Sequence, residues 1–157
     1  MTTSKHFYAM GNEPLVLINL GTAANPTIVA MDHATEPMFD NGKGEFTFKP
    51  RGIDFELMRG AKKTLTVSLK YSFPTSDAVD PVADALYDSF INGTPVELIW
   101  SDRPLVDAGA RGVRAWCEVF KFPMPAKAEE GVVIDVEAKP TDYCEDGNLI
   151  APGYLNA

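Results

Sequence analysis

A chain of 157 residues, 45% hydrophobic and 23% charged, has the size and balance of one globular domain spanning 1–157 with one core. Twelve Gly and twelve Pro divide it into short elements and favour a β-rich fold. A net charge of −8 argues against tight binding to DNA or an anionic membrane, since such binders draw their affinity from a basic face.

Residues 1–10 are mixed in character and read as mobile or partner-bound. They contain no long apolar stretch, so a cleaved secretory signal is not expected. Residues 14–20 and 27–33 read as two strands of a hairpin, with the turn at Gly21 to Pro26. Glu36-Pro37 should end the second strand. Asn41-Gly42-Lys43-Gly44 then reads as a turn, because Asn and Gly tolerate positive φ. Phe46 and Phe48, then Ile53, Phe55 and Leu57, alternate with polar residues in two short extended pieces separated by Pro50-Arg51-Gly52. A further turn is expected at 59–63.

Residues 64–71 carry the plainest strand pattern: Leu65, Val67, Leu69 and Tyr71 alternate with Thr64, Thr66, Ser68 and Lys70. One helix is expected over 80–92. Asp80 can cap it, Pro81 suits its first position and Gly93 suits the left-handed residue after its end. Val79, Val82, Ala83, Leu86 and Phe90 make its apolar arc, and Asp80, Asp84 and Asp88 form a stripe opposite. Strands follow at 95–100, 112–122 and 132–139, with a charged loop at 101–111. In 112–122, Trp116, Phe120 and Phe122 should share one side, and Val113, Ala115, Cys117 and Val119 the other. The tail from Pro140 reads as irregular. This order predicts a mainly β fold, an antiparallel sandwich or barrel with one flanking α-helix; a doubly wound parallel sheet would need more crossover helices.

The residues offer little chemistry. His6 and His33 stand apart from other ligand types, no phosphate-binding glycine loop occurs, and Cys117 lies mid-strand in apolar company. Cys117 and Cys144, too few for a metal quartet, read as packing residues of a reducing compartment. Neither cofactor nor metal nor catalytic group is expected, and an enzyme is not.

Charge is unevenly laid out. Residues 40–71 hold seven basic residues (Lys43, Lys49, Arg51, Arg59, Lys62, Lys63, Lys70) against four acids, a net of +3 that leaves −11 for the rest. The helix has acids and no base. A basic extension meeting an acidic surface on another copy would make heterologous contacts, the kind that build rings or open stacks. An ordinary mixed solvated surface is the plainer account of the same charges.

Three stretches carry a likeness to a known family. They are the hairpin leading into a turn-rich excursion over 36–63 before Leu65-Thr-Val-Ser-Leu-Lys-Tyr-Ser-Phe; the single helix followed at once by Gly93-Thr-Pro-Val-Glu-Leu-Ile-Trp; and Gly112-Val-Arg-Ala-Trp-Cys-Glu-Val-Phe-Lys-Phe, then Glu130-Gly-Val-Val-Ile-Asp-Val-Glu-Ala-Lys-Pro-Thr. In these the chain resembles the tail tube (major tail) proteins of tailed bacteriophages. The resemblance implies a structural subunit that forms hexameric rings, stacked into a hollow tube that conducts DNA as non-specific cargo. It implies a virion tail assembled in the host bacterial cytoplasm, with further copies and other tail proteins (tape measure, terminator or sheath) as partners. The excursion over 36–63 would be an arm between subunits. Lys43, Lys49, Arg51, Arg59, Lys62, Lys63, Asp80, Asp84 and Asp88 become candidate contact residues, and Asp135 and Glu137 candidate lumen residues that repel phosphate. The tube of type VI secretion systems shares this fold and is the near alternative. A soluble ligand-binding β-barrel and a hydrolase built on carboxylates are the readings from other classes.

Overall fold

The computed structural model describes residues 15–73, 80–124 and 132–155. The expectations for residues 1–10, for His6, for Val79 and for most of the turn before 132 fall outside them. The elements are β1 (Leu15–Asn19), β2 (Ile28–Ala30), β3 (Ala34–Phe48), β4 (Leu57–Phe73), α1 (Pro81–Asn92), β5 (Val96–Ser101), β6 (Gly112–Lys121), β7 (Val132–Pro140), β8 (Cys144–Glu145), β9 (Asn148–Leu149) and β10 (Gly153–Leu155).

The main sheet is antiparallel in the order β2-β1-β5-β6-β7-β4-β3, and β10 adds to β6. Its two outermost strands, β2 and β3, are consecutive in the chain. Only residues 31–33 lie between them, so the ends of the sheet are at most about 14 Å apart. The connector bonds to both sides: the Met31 N–H donates to the Val16 carbonyl of β1, and the Ser72 N–H of β4 donates to the His33 carbonyl, each at 3.0 Å. The sheet is therefore rolled into a barrel, which resolves the choice between sandwich and barrel.

Alternation in the strands selects the inward face. Ile18, Leu98, Ala115, Cys117, Val136, Ala138, Val67 and Leu69 meet in one core, each at most 4% exposed. α1 adds Val82, Ala83 and Leu86 to that core. It lies where β5 begins: Val96, the first residue of β5, pairs with Cys117 of β6, and two residues further along β6 the Val119 N–H donates to the Ser89 hydroxyl of the helix at 3.1 Å. Caps fix the helix ends. One Asp80 oxygen accepts from the N–H groups of Val82 and Ala83, Pro81 opens the helix, and Gly93 closes it at φ 71°.

The chain's own C-terminal part extends the sheet beside β6 and covers Trp116 on its outward face. Residues beyond 140, read as irregular from the sequence, form the β8–β9 hairpin and the β10 strand. Asp146 (φ 52°) and Gly147 (φ 78°) make its two-residue turn, the Asp-Gly pairing that tight hairpins prefer. Tyr143 stacks on Trp116, with ring centroids 3.8 Å apart.

The largest departure from expectation lies in 36–63. Neither 41–44 nor 59–63 is a turn. Both are strand, paired across one long hairpin: Asn41 faces Leu65, Gly42 faces Thr64, Lys43 faces Lys63 and Arg59 faces Phe46. The glycines there allow close approach rather than reversal. A Cβ on Gly42 would lie 2.6 Å from the Thr64 hydroxyl, and one on Gly60 would lie 2.6 Å from Cδ of Lys43. The reversal comes at Pro50-Arg51-Gly52, where Gly52 has φ 85°. Ile53 and Phe55, expected in a strand, belong to that loop. Glu36-Pro37 does not end a strand either. It sits inside β3 as a bulge, with Glu36 at φ 50° and a register shift between Thr35 and Met38, which is how a strand accommodates a proline that cannot donate.

A second bulge corrects the reading of β6. The register with β7 shifts between Val119 and Lys121, so the side chains change face at Phe120. Trp116 and Phe120 point outward, where Lys139 lies over the Phe120 ring at 4.9 Å. Phe122 turns to the helix side and packs on Tyr87 and Phe90.

Candidate assembly surface

The hairpin is the feature that the fold does not consume. β7 pairs with β4 only from Val67 onward. The ten residues of β4 before Val67 reach about 33 Å further at ordinary strand rise. Among the described residues β3 is the border of the sheet along its 15 residues, paired with β4 on one side. An unpaired border of this length is a template for another strand. The hairpin's residues are exposed almost throughout, including Phe46 of β3 at 59%, Met58 of β4 at 60% and Phe55 of the loop at 76%.

The structure places five of the six cations predicted as contacts in the strands or tip of this hairpin where no carboxylate among the described residues pairs with them: Lys43, Lys49, Arg51, Arg59 and Lys62. Lys63, the sixth, lies at its foot over the ring of Tyr154 at 4.7 Å. Arg59 reaches over Phe48 at 6.0 Å, and Phe48 stacks on Phe46 at 5.9 Å. Pairing puts Phe46, Phe48, Leu57 and Arg59 on one face of the hairpin. The period-two pattern of Phe46 and Phe48 was visible in the sequence; that Phe46 would stay exposed and Phe48 half-buried was not.

The three helix acids have separate roles. Asp80 is engaged within the chain, since its second oxygen accepts from the Tyr71 hydroxyl at 2.7 Å. Burial, with that bond added, raises the Tyr71 pKa well above the usual phenol range. Asp88 accepts from Asn92 at 2.6 Å, and side-chain hydrogen bonds from Asn92 and Thr94 hold its carboxyl below the ordinary value. Asp84 is exposed.

Asp135 and Glu137 share the solvated outer face of β7, as the alternation predicts. They are not an isolated acidic pair. Glu137 lies 3.6 Å from Lys121, Asp135 faces Lys70 across the strands, and Lys70 pairs with Glu36 at 3.1 Å. One polar cluster escaped the sequence reading. Glu97, 4% exposed, accepts from Arg114 at 2.7 and 3.1 Å and from Asn19 at 3.2 Å. Asn19 in turn accepts from the N–H groups of Gly21 and Thr27, fixing the β1–β2 turn. The signal was a Glu and an Arg each set in an apolar strand.

Comparison with solved structures assigns the architecture. The chain superposes on a subunit of the SPP1 tail tube with a TM-score of 0.63 at 14% identity, covering 93% of this chain and 78% of that one. It has the tail-tube fold. It also superposes on a chain from the tail of an empty gene transfer agent particle refined with C6 symmetry, with a TM-score of 0.57 at 12% identity over 87% of this chain and 94% of that one. A chain of the six-fold symmetrised anti-feeding prophage baseplate gives 0.52 at 10% identity, over 99% and 97%. No family model and no curated protein matches the sequence.

Within the tail-tube fold the two thiols differ. Cys117 is buried, and burial pushes its pKa up to about 12, as the packing role predicts. Cys144 is exposed, so the packing role assigned to it is corrected: it sits on the β8–β9 hairpin, which lies on the barrel surface and not in the core. Among the described residues no three His, Cys, Asp or Glu side chains gather as a metal site, and no helix is long and apolar enough to cross a membrane.

Proposed function

We propose that this chain is the structural subunit of a phage tail tube. Copies join side by side into hexameric rings, and rings stack into a conduit for DNA. The carrying observation is the unconsumed hairpin: a 15-residue sheet border with exposed aromatic and cationic residues, in a fold that recurs in assembled tails. Neighbouring copies would pair that border and cover those side chains. The subunit has no catalytic role in this reading. Its partners are other copies and the tape measure, terminator or sheath proteins of a tail, and its place is the virion after assembly in the host cytoplasm.

DNA would pass without being held, since a chain of −8 supplies no net cationic wall for phosphate. The outer face of β4 and β7 is the proposed conduit lining. Because Asp135 and Glu137 lie beside Lys70 and Lys121, repulsion there rests on the net charge of the assembly more than on these two acids. A ligand-carrying barrel is less well supported, because Ile18, Val67, Leu86, Leu98 and Val136 fill the interior.

Electron microscopy of the purified full chain tests the reading. Rings or tubes of uniform width are the expected result. A monodisperse monomer in sedimentation at millimolar concentration would overturn it.

A further inference from the structure

The helix offers a receiving surface for the hairpin of a second copy. Asp84, Tyr87, Asp88 and Ile91 follow one another at helical spacing and form one stripe. It lies opposite the buried arc of Val82, Ala83, Leu86 and Ser89. Tyr87 is 49% exposed and Ile91 51%, so the stripe is apolar and acidic together, and α1 carries no basic residue. The tip half of the hairpin presents the counterpart: Phe46, Phe48 and Leu57 with Arg59 on one face, and Lys49 and Arg51 in the loop. Two apolar side chains alternating with two anions would meet an aromatic pair flanked by cations.

The two surfaces cannot meet within one chain. The start of the helix is tied to Tyr71 through Asp80, near one end of β4. Leu57, at the hairpin tip, is 14 residues away along the same strand, or about 45 Å. Surfaces that match but sit at opposite ends of one subunit make a head-to-tail contact, and repetition of that contact gives an open stack. We propose that the hairpin tip of one copy docks through Phe46, Phe48 and Arg59 on the Asp84-Tyr87-Asp88-Ile91 stripe of another. The proposal rests on the self-assembly reading in needing two copies, and it does not depend on the assembly being a tube.

The direct test is cross-linking. In a Cys144→Ser background, full-length Phe46→Cys is mixed with Tyr87→Cys and oxidised, with Asp142→Cys replacing Tyr87→Cys as the control on another exposed site. A Phe46–Tyr87 cross-link at least tenfold over the control is expected. A charge exchange tests the same contact without thiols. Arg59→Glu and Asp84→Arg should each cut the assembled fraction about tenfold, and the double variant should recover most of it; circular dichroism confirms that each is folded. Cross-linking no better than the control, or a double variant no better than the singles, overturns the docking. If wild-type protein forms tubes while the cross-link fails, the docking falls and the tube reading stands. If the cross-link forms but only short oligomers are seen, the docking stands and the tube reading falls.

Discussion

At the scale of single residues, the clearest contrast is between the two cysteines. A thiol whose pKa is raised stays protonated, and the thiolate is the reactive form. Cys117, buried with its pKa pushed up to about 12, should resist a maleimide at pH 8 in native protein, while exposed Cys144 reacts. Mass spectrometry should show one label per chain under native conditions and two after unfolding; two native labels would contradict the placement of Cys117. The sequence foretold Cys117, because strand alternation puts it among Ala115 and Val119. It could not foretell Cys144, whose exposure is set by a small hairpin laid over another strand. The same limit explains Glu97 and Arg114: their pairing depends on the β5–β6 register, which no local pattern states.

At the scale of elements, the bounds and caps of α1 were legible because their signals are local: a capping Asp, a proline at the first position and a glycine after the last; its buried arc was legible only in part, since Ser89 is buried and Phe90, expected there, is 37% exposed. Asp80 does more than cap, since it also accepts from Tyr71 of β4. Asp80→Ala removes both functions and should cost about 1–2 kcal/mol. In a domain of this size, that lowers the melting temperature by about 5 °C, measurable by thermal circular dichroism; Asp80→Asn should recover part of the loss by retaining a capping oxygen. The hairpin was misread because its signals conflict. Asn-Gly and Arg-Gly favour reversal locally, and strand pairing over 12 residue pairs overrides them. The glycines are used for close approach, which looks identical in sequence to use in a turn. The bulge at Phe120 was invisible for a related reason. It exchanges the faces of β6, and only the partner strand and Ser89 reveal it.

At the scale of the molecule, charge and topology act together. The rolled sheet brings β2 and β3 together through the connector 31–33, while the hairpin and the helix stripe remain as surfaces of opposite charge. Exposed charges are screened over about 8 Å at physiological salt and about 3 Å at 1 M. Assembly should therefore slow and its critical concentration rise several-fold between low salt and 1 M, followed by light scattering. Polymers that form equally well at both would assign the contact to apolar burial and sheet pairing alone. The fold class could be inferred from strand order and the single helix, since alternation marks what faces the core. The proposed assembly surface could be inferred only as a charge imbalance, since exposure of Phe46, Tyr87 and Ile91 depends on which faces the barrel leaves uncovered.

The strand that ends in the hairpin begins as the last stave of the barrel. A single run of backbone passes from β2 through Met31 and His33 into β3, held by one hydrogen bond to β1 and one to β4. Arm and barrel are thus one lever with its fulcrum at the closure. Any displacement of the tip is therefore passed along β3 to the Ser72–His33 bond and the Ala34–Tyr71 pairing beside it, and through Tyr71 and Asp80 to the start of α1.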